Sequence, residues 1–289
     1  MHYDAFSKCH PLVNFVFFVG AIGFGVVIQH PAYILAGCLA GAGYYCLLKP
    51  RTGWKVLLGM LPAFLVLAVV NPLFNHEGEQ VLFTLFGNPY TLEALYYGMA
   101  VGGIFVVMLL WFLCYCLVLT SDKFICLFGK LIPALSLLLT MVLRMIPNLI
   151  RKARQILGSR RTLGKGIGEA STGREKLLSG TSVLSALTDW ALEGSIVTAD
   201  SMRSRGYGSA QRTSFQIYRL TARDILLLVV MLVLAGAVLL LGGMGASFTP
   251  TYSADPVGWG LAAYGVFLLI PVILHLKEVI LWRILISKM

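Results

Sequence analysis

The sequence predicts an all-α polytopic membrane protein with about six transmembrane helices. Three observations carry that prediction. The chain of 289 residues is 58% hydrophobic and only 12% charged, with a mean hydropathy of +0.81, whereas soluble domains carry about 25% charged residues. Its apolar residues gather into uncharged runs long enough to cross a bilayer at ~1.5 Å rise per residue. Its charge is segregated: residues 123–223 hold 16 of the 23 Lys and Arg but only 5 of the 13 Asp and Glu, with apolar sequence on either side.

In chain order, residues 12–28 form the first span, and His30-Pro31 marks the turn into the second, residues 32–48. Lys49, Arg51 and Lys55 make a short basic loop. Residues 54–73 form the third span, with Trp54 suited to a membrane interface, and Asn71-Pro72 is expected to end it. Residues 75–91 contain Glu77 and Glu79 but no Lys or Arg. Within them residues 81–86 read as a strand, Gly87-Asn88-Pro89 as a turn and Tyr90-Thr91 as a returning strand, giving a small hairpin on the outer surface. Residues 92–119 form the fourth and longest span.

Residues 131–143 are apolar but contain Pro133 and stop at Arg144. Thirteen residues are short for a span and normal for a helix lying in the interface. Charge parity agrees. With four spans before it, the Lys49–Lys55 loop and the Arg-rich segment share one side, and an extra crossing would export the arginines against the positive-inside rule. Residues 133–161 therefore read as one long amphipathic stretch, bent at Pro147. Residues 163–173 read as a Gly-rich loop. A helical pattern resumes over residues 182–205, with Val183, Leu187, Trp190 and Ala191 on a common face, and Gly206 suits the position just past a helix end. Residues 225–244 and 257–276 are spans five and six. Their connecting loop carries Asp255 and no positive charge, and the residues after His275 continue as an interfacial helix. All Lys and Arg then fall on one side, with both termini inside.

Several chemistries are excluded or disfavoured. The net charge of +10 flanks spans and accompanies no nucleic-acid-reading motif, so no nucleic acid is expected as a partner. The six cysteines form no C-x-x-C pair, and Cys9 beside His10 lacks zinc-ligand spacing. Gly164-Lys165 fails as a phosphate loop, because Gly158 is one residue too far upstream and Gly166 replaces the required Ser or Thr; the chain is not expected to bind ATP. The spans hold almost no ionisable residues, which disfavours a self-contained proton-coupled transporter. Small residues four apart (Gly37 and Gly41, Gly98 and Gly102, Gly258 and Ala262) allow close helix contact, either within the chain or with another membrane protein.

The run Ala199-Asp200-Ser201-Met202-Arg203-Ser204-Arg205-Gly206-Tyr207 resembles the second arginine motif of the transmembrane T component of energy-coupling-factor (ECF) transporters. In that family a small-Arg-Gly motif ends each of two cytoplasmic coupling helices. Ser159-Arg160-Arg161-Thr162 resembles the first motif, but it departs from the usual Ala-Arg-Gly because no glycine follows directly. Either Arg160 or Arg161 is then the docking residue. The order of spans, outer loop and basic segment fits the family over nearly the whole chain.

The resemblance implies a helical cytoplasmic coupling region and a division into residues 1–122 (spans one to four and the outer hairpin), 123–223 (coupling helices) and 224–289 (spans five and six). It implies a place in a bacterial plasma membrane and a non-catalytic subunit of an importer for a vitamin or metal ion. Its partners would be two ABC ATPase subunits and a small substrate-binding membrane (S) subunit, within the lipid bilayer. ATP and Mg would be bound by the ATPases, and this chain would carry no cofactor, no metal and no catalytic residue. Arg160, Arg161, Ser204, Arg205 and Gly206 would dock the ATPases. Pro133, Leu135, Leu138, Leu139 and Val142 would form the surface met by the S subunit. The alternatives are a conventional ABC permease, expected to have its own substrate path and shorter coupling segments, and an integral membrane enzyme. The enzyme would need a reactive cluster, and His2, His10, His30, His76 and His275 are scattered.

Overall fold

A computed structural model describes residues 6–75, 81–85, 88–128, 133–164, 172–209, 220–243, 245–247 and 253–287. Its order is α1 (Pro11–Val27), α2 (Pro31–Leu48), α3 (Gly53–Phe74), β1 (Val81–Leu85), β2 (Asn88–Thr91), α4 (Leu92–Val118), α5 (Ser121–Phe128), α6 (Pro133–Thr162), α7 (Gly173–Ser204), α8 (Ala222–Leu240), β3 (Ala246–Ser247), β4 (Ser253–Ala254) and α9 (Trp259–Ser287). The fold is all-α and polytopic, with two minimal hairpins. It divides into two compact units, one made of Met1–Phe124 with Tyr218–Met289, the other of Ile125–Ile217.

In the first unit six helices alternate in direction, and the packing fixes each one. Phe18 of α1 meets Trp111 and Tyr115 of α4, while Gly25 faces Val107, so α1 and α4 are antiparallel. Along α2, Ile34 faces Gly103, Gly37 faces Val107 and Gly41 faces Trp111, so α2 runs parallel to α4. Gly98 and Gly102 of α4 face Ala68 and Phe64 of α3, which makes that pair antiparallel. Tyr33 and Gly37 meet Gly260 and Tyr264 of α9 in the same order. The His10 N–H donates to Asp224 (3.2 Å), placing the starts of α1 and α8 at one end. The small-residue pairs in α2 and α4 thus serve packing within the chain. A Cβ on Gly98 would fall 2.6 Å from the Ala68 carbonyl oxygen. The core is aromatic, with Phe6, Phe17, Phe18, Tyr44 and Trp111 fully buried and their rings mostly edge to face.

Local chemistry explains the starts and stops. His10-Pro11 and His30-Pro31 open α1 and α2 alike: proline occupies a first-turn position where no N–H is missed. Each histidine Nδ1 accepts the N–H two residues on, at 3.2 Å. These histidines are caps. The expected stop at Asn71-Pro72 does not occur, and α3 continues to Phe74. Pro72 deprives only the Ala68 carbonyl of its helical donor, and Gly98 lets α4 close over that carbonyl. A hairpin forms where expected, with β1 and β2 antiparallel from Val81–Thr91 to Leu85–Asn88, but Asn88 and Pro89, expected in the turn, belong to β2; Phe86 and Gly87 lie outside the described residues.

Span five ends at Leu240 rather than 244, because Gly242 and Gly243 take φ of +63° and +73°. The β3–β4 pair that follows was not legible in the sequence. Span six and the residues after His275 form one helix, α9, which passes through Pro271.

By length and composition six described helices are able to cross a membrane: α2, α3, α4, α8, and stretches of α6 (Ala134–Thr162) and α9 (Trp259–Leu281). The apolar α1 is 17 residues long. The long stretch expected from residue 133 is one 30-residue helix, α6, running through Pro147; the set differs from the six expected spans in including α6, which was read as interfacial, and in leaving α1, expected as the first span, among the shorter apolar helices.

Candidate functional site

The second unit is an antiparallel pair, α6 and α7. Arg160 of α6 donates from Nη1 to the Ser182 hydroxyl of α7. Two turns back along α6, the Lys152 ammonium lies 5.8 Å from the centre of the Trp190 ring, a contact worth ~0.5–1 kcal/mol at an exposed site. The expected α7 face is the inner one: Val183 is buried and Leu187, Trp190 and Ala191 are half-buried. The helix begins at Gly173, earlier than the 182 that periodicity gave. A capping box accounts for this, because Thr172 caps the first turn while the Glu175 side chain accepts the Thr172 N–H. Residues 165–171 of the expected Gly-rich loop lie outside the described residues.

Both arginine segments sit at helix C-termini closed by a left-handed glycine. On α7, the Gly206 N–H donates to the Arg203 carbonyl and the Tyr207 N–H to the Met202 carbonyl, each at 3.0 Å, with Gly206 at φ +76°. This is a Schellman closure, and it makes Arg205 the capping residue, exposed to solvent. The Ser204 hydroxyl donates back to the Ser201 carbonyl (2.9 Å), so the residue beside Arg205 is small and locally satisfied. On α6, the Leu163 and Gly164 N–H groups donate to the carbonyls of Arg160 and Arg161, and Gly164 has φ +67°. In both ends the glycine N–H reaches the carbonyl three residues back, but Gly206 follows Arg205 directly whereas Gly164 lies three residues after Arg161. Arg160 turns inward to Ser182 and is half-buried, whereas Arg161 is exposed. Of the two candidates, Arg161 is the one free to point away from the hairpin.

The antiparallel arrangement puts these ends apart. Arg160 lies beside Ser182, and from Ser182 to Arg205 α7 advances about 34 Å, on the order of the diameter of a small domain. The two arginine-bearing helix ends are therefore far apart along the hairpin.

Leu135, Leu138 and Val142 form an exposed stripe on α6, and Ile146 and Ile150 extend it at the same spacing. The last two were missed because the charged residues from Arg144 onward masked the period. Leu139 is half-buried beside the stripe. Pro133 opens the helix, and its side chain lies outside the described residues.

Elsewhere, a groove of about 670 Å³ in the first unit is bounded by α2, α3 and α4. It is lined by side chains such as Ile34, Leu61, Phe64 and Met99, without a charged group. Among the described residues no three His, Cys, Asp or Glu side chains converge. No protein-family model and no curated protein matches this chain.

Proposed function

We propose that this chain is the membrane coupling subunit of an ECF-type ABC importer. It would tie two ATPase subunits to a small substrate-binding membrane subunit that carries a vitamin or metal ion. The observation that carries the reading is the pair of arginine-tipped, glycine-closed helix ends at opposite ends of one hairpin. A planar guanidinium at a helix tip makes bidentate, charge-assisted bonds to an acidic groove, and two such tips about a domain's width apart suit two such grooves. Arg161 and Arg205 are the docking residues in this account, Arg160 braces the first tip, and Ser204 and Gly206 shape the second. ATP and Mg belong to the ATPases. The α6 stripe from Leu135 to Ile150 meets the substrate-binding subunit.

Parity supports a cytoplasmic hairpin in a bacterial plasma membrane. The first unit breaks off after Phe124 and resumes at Tyr218, and contacts within that unit place Lys123 and Asp224 at the same end of the bundle, both beside residues 7–10. A segment that leaves and returns on one side crosses an even number of times. Since α7 carries charges throughout, from Arg174 to Arg203, α6 does not cross alone. Its apolar part stops at Arg144 and lies along the interface. Lys49, Arg51 and Lys55 then share the hairpin's side, as the positive-inside rule requires.

The test is co-expression with the candidate ATPases and substrate-binding subunit, followed by purification and uptake assays. The pure chain should hydrolyse no ATP, while the complex should hydrolyse it and drive uptake. Arg205→Glu should abolish uptake, because losing one partner of a buried charged pair costs ~2–5 kcal/mol. Arg212→Glu, at a basic residue outside both arginine motifs, should be mild. Turnover by the pure chain, or full uptake with Arg205→Glu, contradicts the proposal.

A further inference from the structure

The bundle end that bears both connections to the hairpin is held by one short segment, residues 6–10. Phe6 is fully buried, edge-on to Phe17, Phe18 and Tyr44. Next to it, the Ser7 carbonyl and hydroxyl accept from the Lys123 ammonium at 2.5 and 3.0 Å. That ammonium also donates to the Val118 carbonyl at 2.8 Å, closing the C-terminus of α4. With its amide oriented to satisfy both neighbours, Asn14 donates to the Phe6 carbonyl (2.9 Å) and accepts from Lys123 (3.1 Å). Lys123 is only 4% exposed, and a buried ammonium is retained only where oxygens surround it.

At the other end of the segment, the His10 N–H donates to Asp224 Oδ1 (3.2 Å). Asp224 Oδ2 accepts from the N–H (3.0 Å) and hydroxyl (2.7 Å) of Thr221. Asp224 is 6% exposed. Lys8 adds an exposed pair with Glu278 of α9, and such a pair contributes only ~0–1 kcal/mol. The two buried clusters, not the surface pair, set the strength of the connection.

We propose that residues 6–10 are a brace that fixes the distance between Lys123, where the chain departs for the hairpin, and Asp224, where it has returned. This rests on the coupling reading. A hairpin pushed by two ATPases transmits displacement to a substrate-binding subunit only if its two roots do not splay, and the brace keeps α4 and α8 from separating at that end. Lys123 and Asp224 are thus positioning residues: they touch neither ATP nor cargo, and they set how much uptake each hydrolysis drives.

Lys123→Met in the assembled complex tests it. ATPase capture and hydrolysis should stay near normal while uptake per ATP falls at least tenfold. A thiol cross-link between Ser7→Cys and Lys123→Cys, in an otherwise cysteine-free chain, should restore that ratio. An unchanged ratio, or uptake, capture and membrane level falling in parallel, overturns the brace. A second measurement does not depend on the ATPases. In the full chain in lipid nanodiscs, Lys123→Met should raise amide hydrogen exchange at least tenfold at His10 and Thr221 as well as near Val118, since the clusters are joined through residues 6–10. Exchange that rises only around Lys123 shows two independent caps and refutes the brace even if the coupling reading stands. If the unmodified chain captures no ATPase, the coupling reading fails while this exchange result still decides the brace.

Discussion

The bundle and the hairpin are built on opposite terms. The bundle buries a continuous aromatic and aliphatic core from α1, α2, α4, α8 and α9. Among the described residues of the hairpin unit, Val183 is the buried side chain, while Leu135, Leu138, Val142, Leu184, Leu192 and Ile196 stand exposed. The bundle's outward apolar residues, such as Leu65 and Val66, suit lipid. The hairpin mixes its apolar stripes with Arg144, Arg151, Lys152 and Arg154, a mixture that suits an interface with lipid on one side and protein on another. One unit is thus closed around its own core, and the other leaves many of its apolar side chains exposed. The coupling account requires that contrast, since the part that moves cannot be locked by its own core.

Three substitutions probe the contrast, from strongest to weakest. Gly98→Val forces a branched side chain against the Ala68 carbonyl, where even a Cβ would sit at 2.6 Å. Backbone is unable to give way as a side chain does, so α3 and α4 must part, at the upper end of the ~1–3 kcal/mol typical of overpacking. Detergent-solubilised protein should lose most of its monodisperse fraction; a normal elution profile and melting temperature would contradict this packing. Leu138→Glu should leave the bundle and ATPase capture intact but weaken capture of the substrate-binding subunit by about 2 kcal/mol, roughly 30-fold, if the stripe is a hot spot. Equal capture by both forms removes α6 as that contact. The weakest effect should have the opposite sign. Gly180 and Gly194 lie within α7 with nothing within 4 Å of an added Cβ, so each Gly→Ala change should stabilise α7 by ~0.5–1 kcal/mol. Slower hydrogen exchange over residues 173–204 is the readout, and faster exchange would mean that these glycines face an unseen partner.

What the sequence disclosed follows from which signals are local. The spans were legible from uncharged runs, the hairpin near Asn88 from its turn residues, and Gly206 from its place after a helical pattern. The inner α7 face around Val183 and Trp190 was legible from its period. The start of α7 was legible in principle, since Thr172-Gly173-Arg174-Glu175 is a capping box, but the neighbouring glycines outweighed it. Pro72 misled because its cost depends on what covers the Ala68 carbonyl, a tertiary fact. Which of Arg160 and Arg161 is exposed depended on Ser182, far off in sequence, and the Lys123–Ser7 and Asp224–His10 links are longer-range still. None of these pairings leaves a periodic trace.

The central claim is that the hairpin presents two separate arginine tips, each holding one ATPase. The mass of the complex captured from membranes tests it directly. The unmodified chain should carry two ATP-binding subunits, Arg161→Glu or Arg205→Glu about one, and the double variant none, at matched membrane levels of the chain. Two ATPases retained by the double variant, or both lost together from either single variant while the hairpin remains folded, would contradict the account.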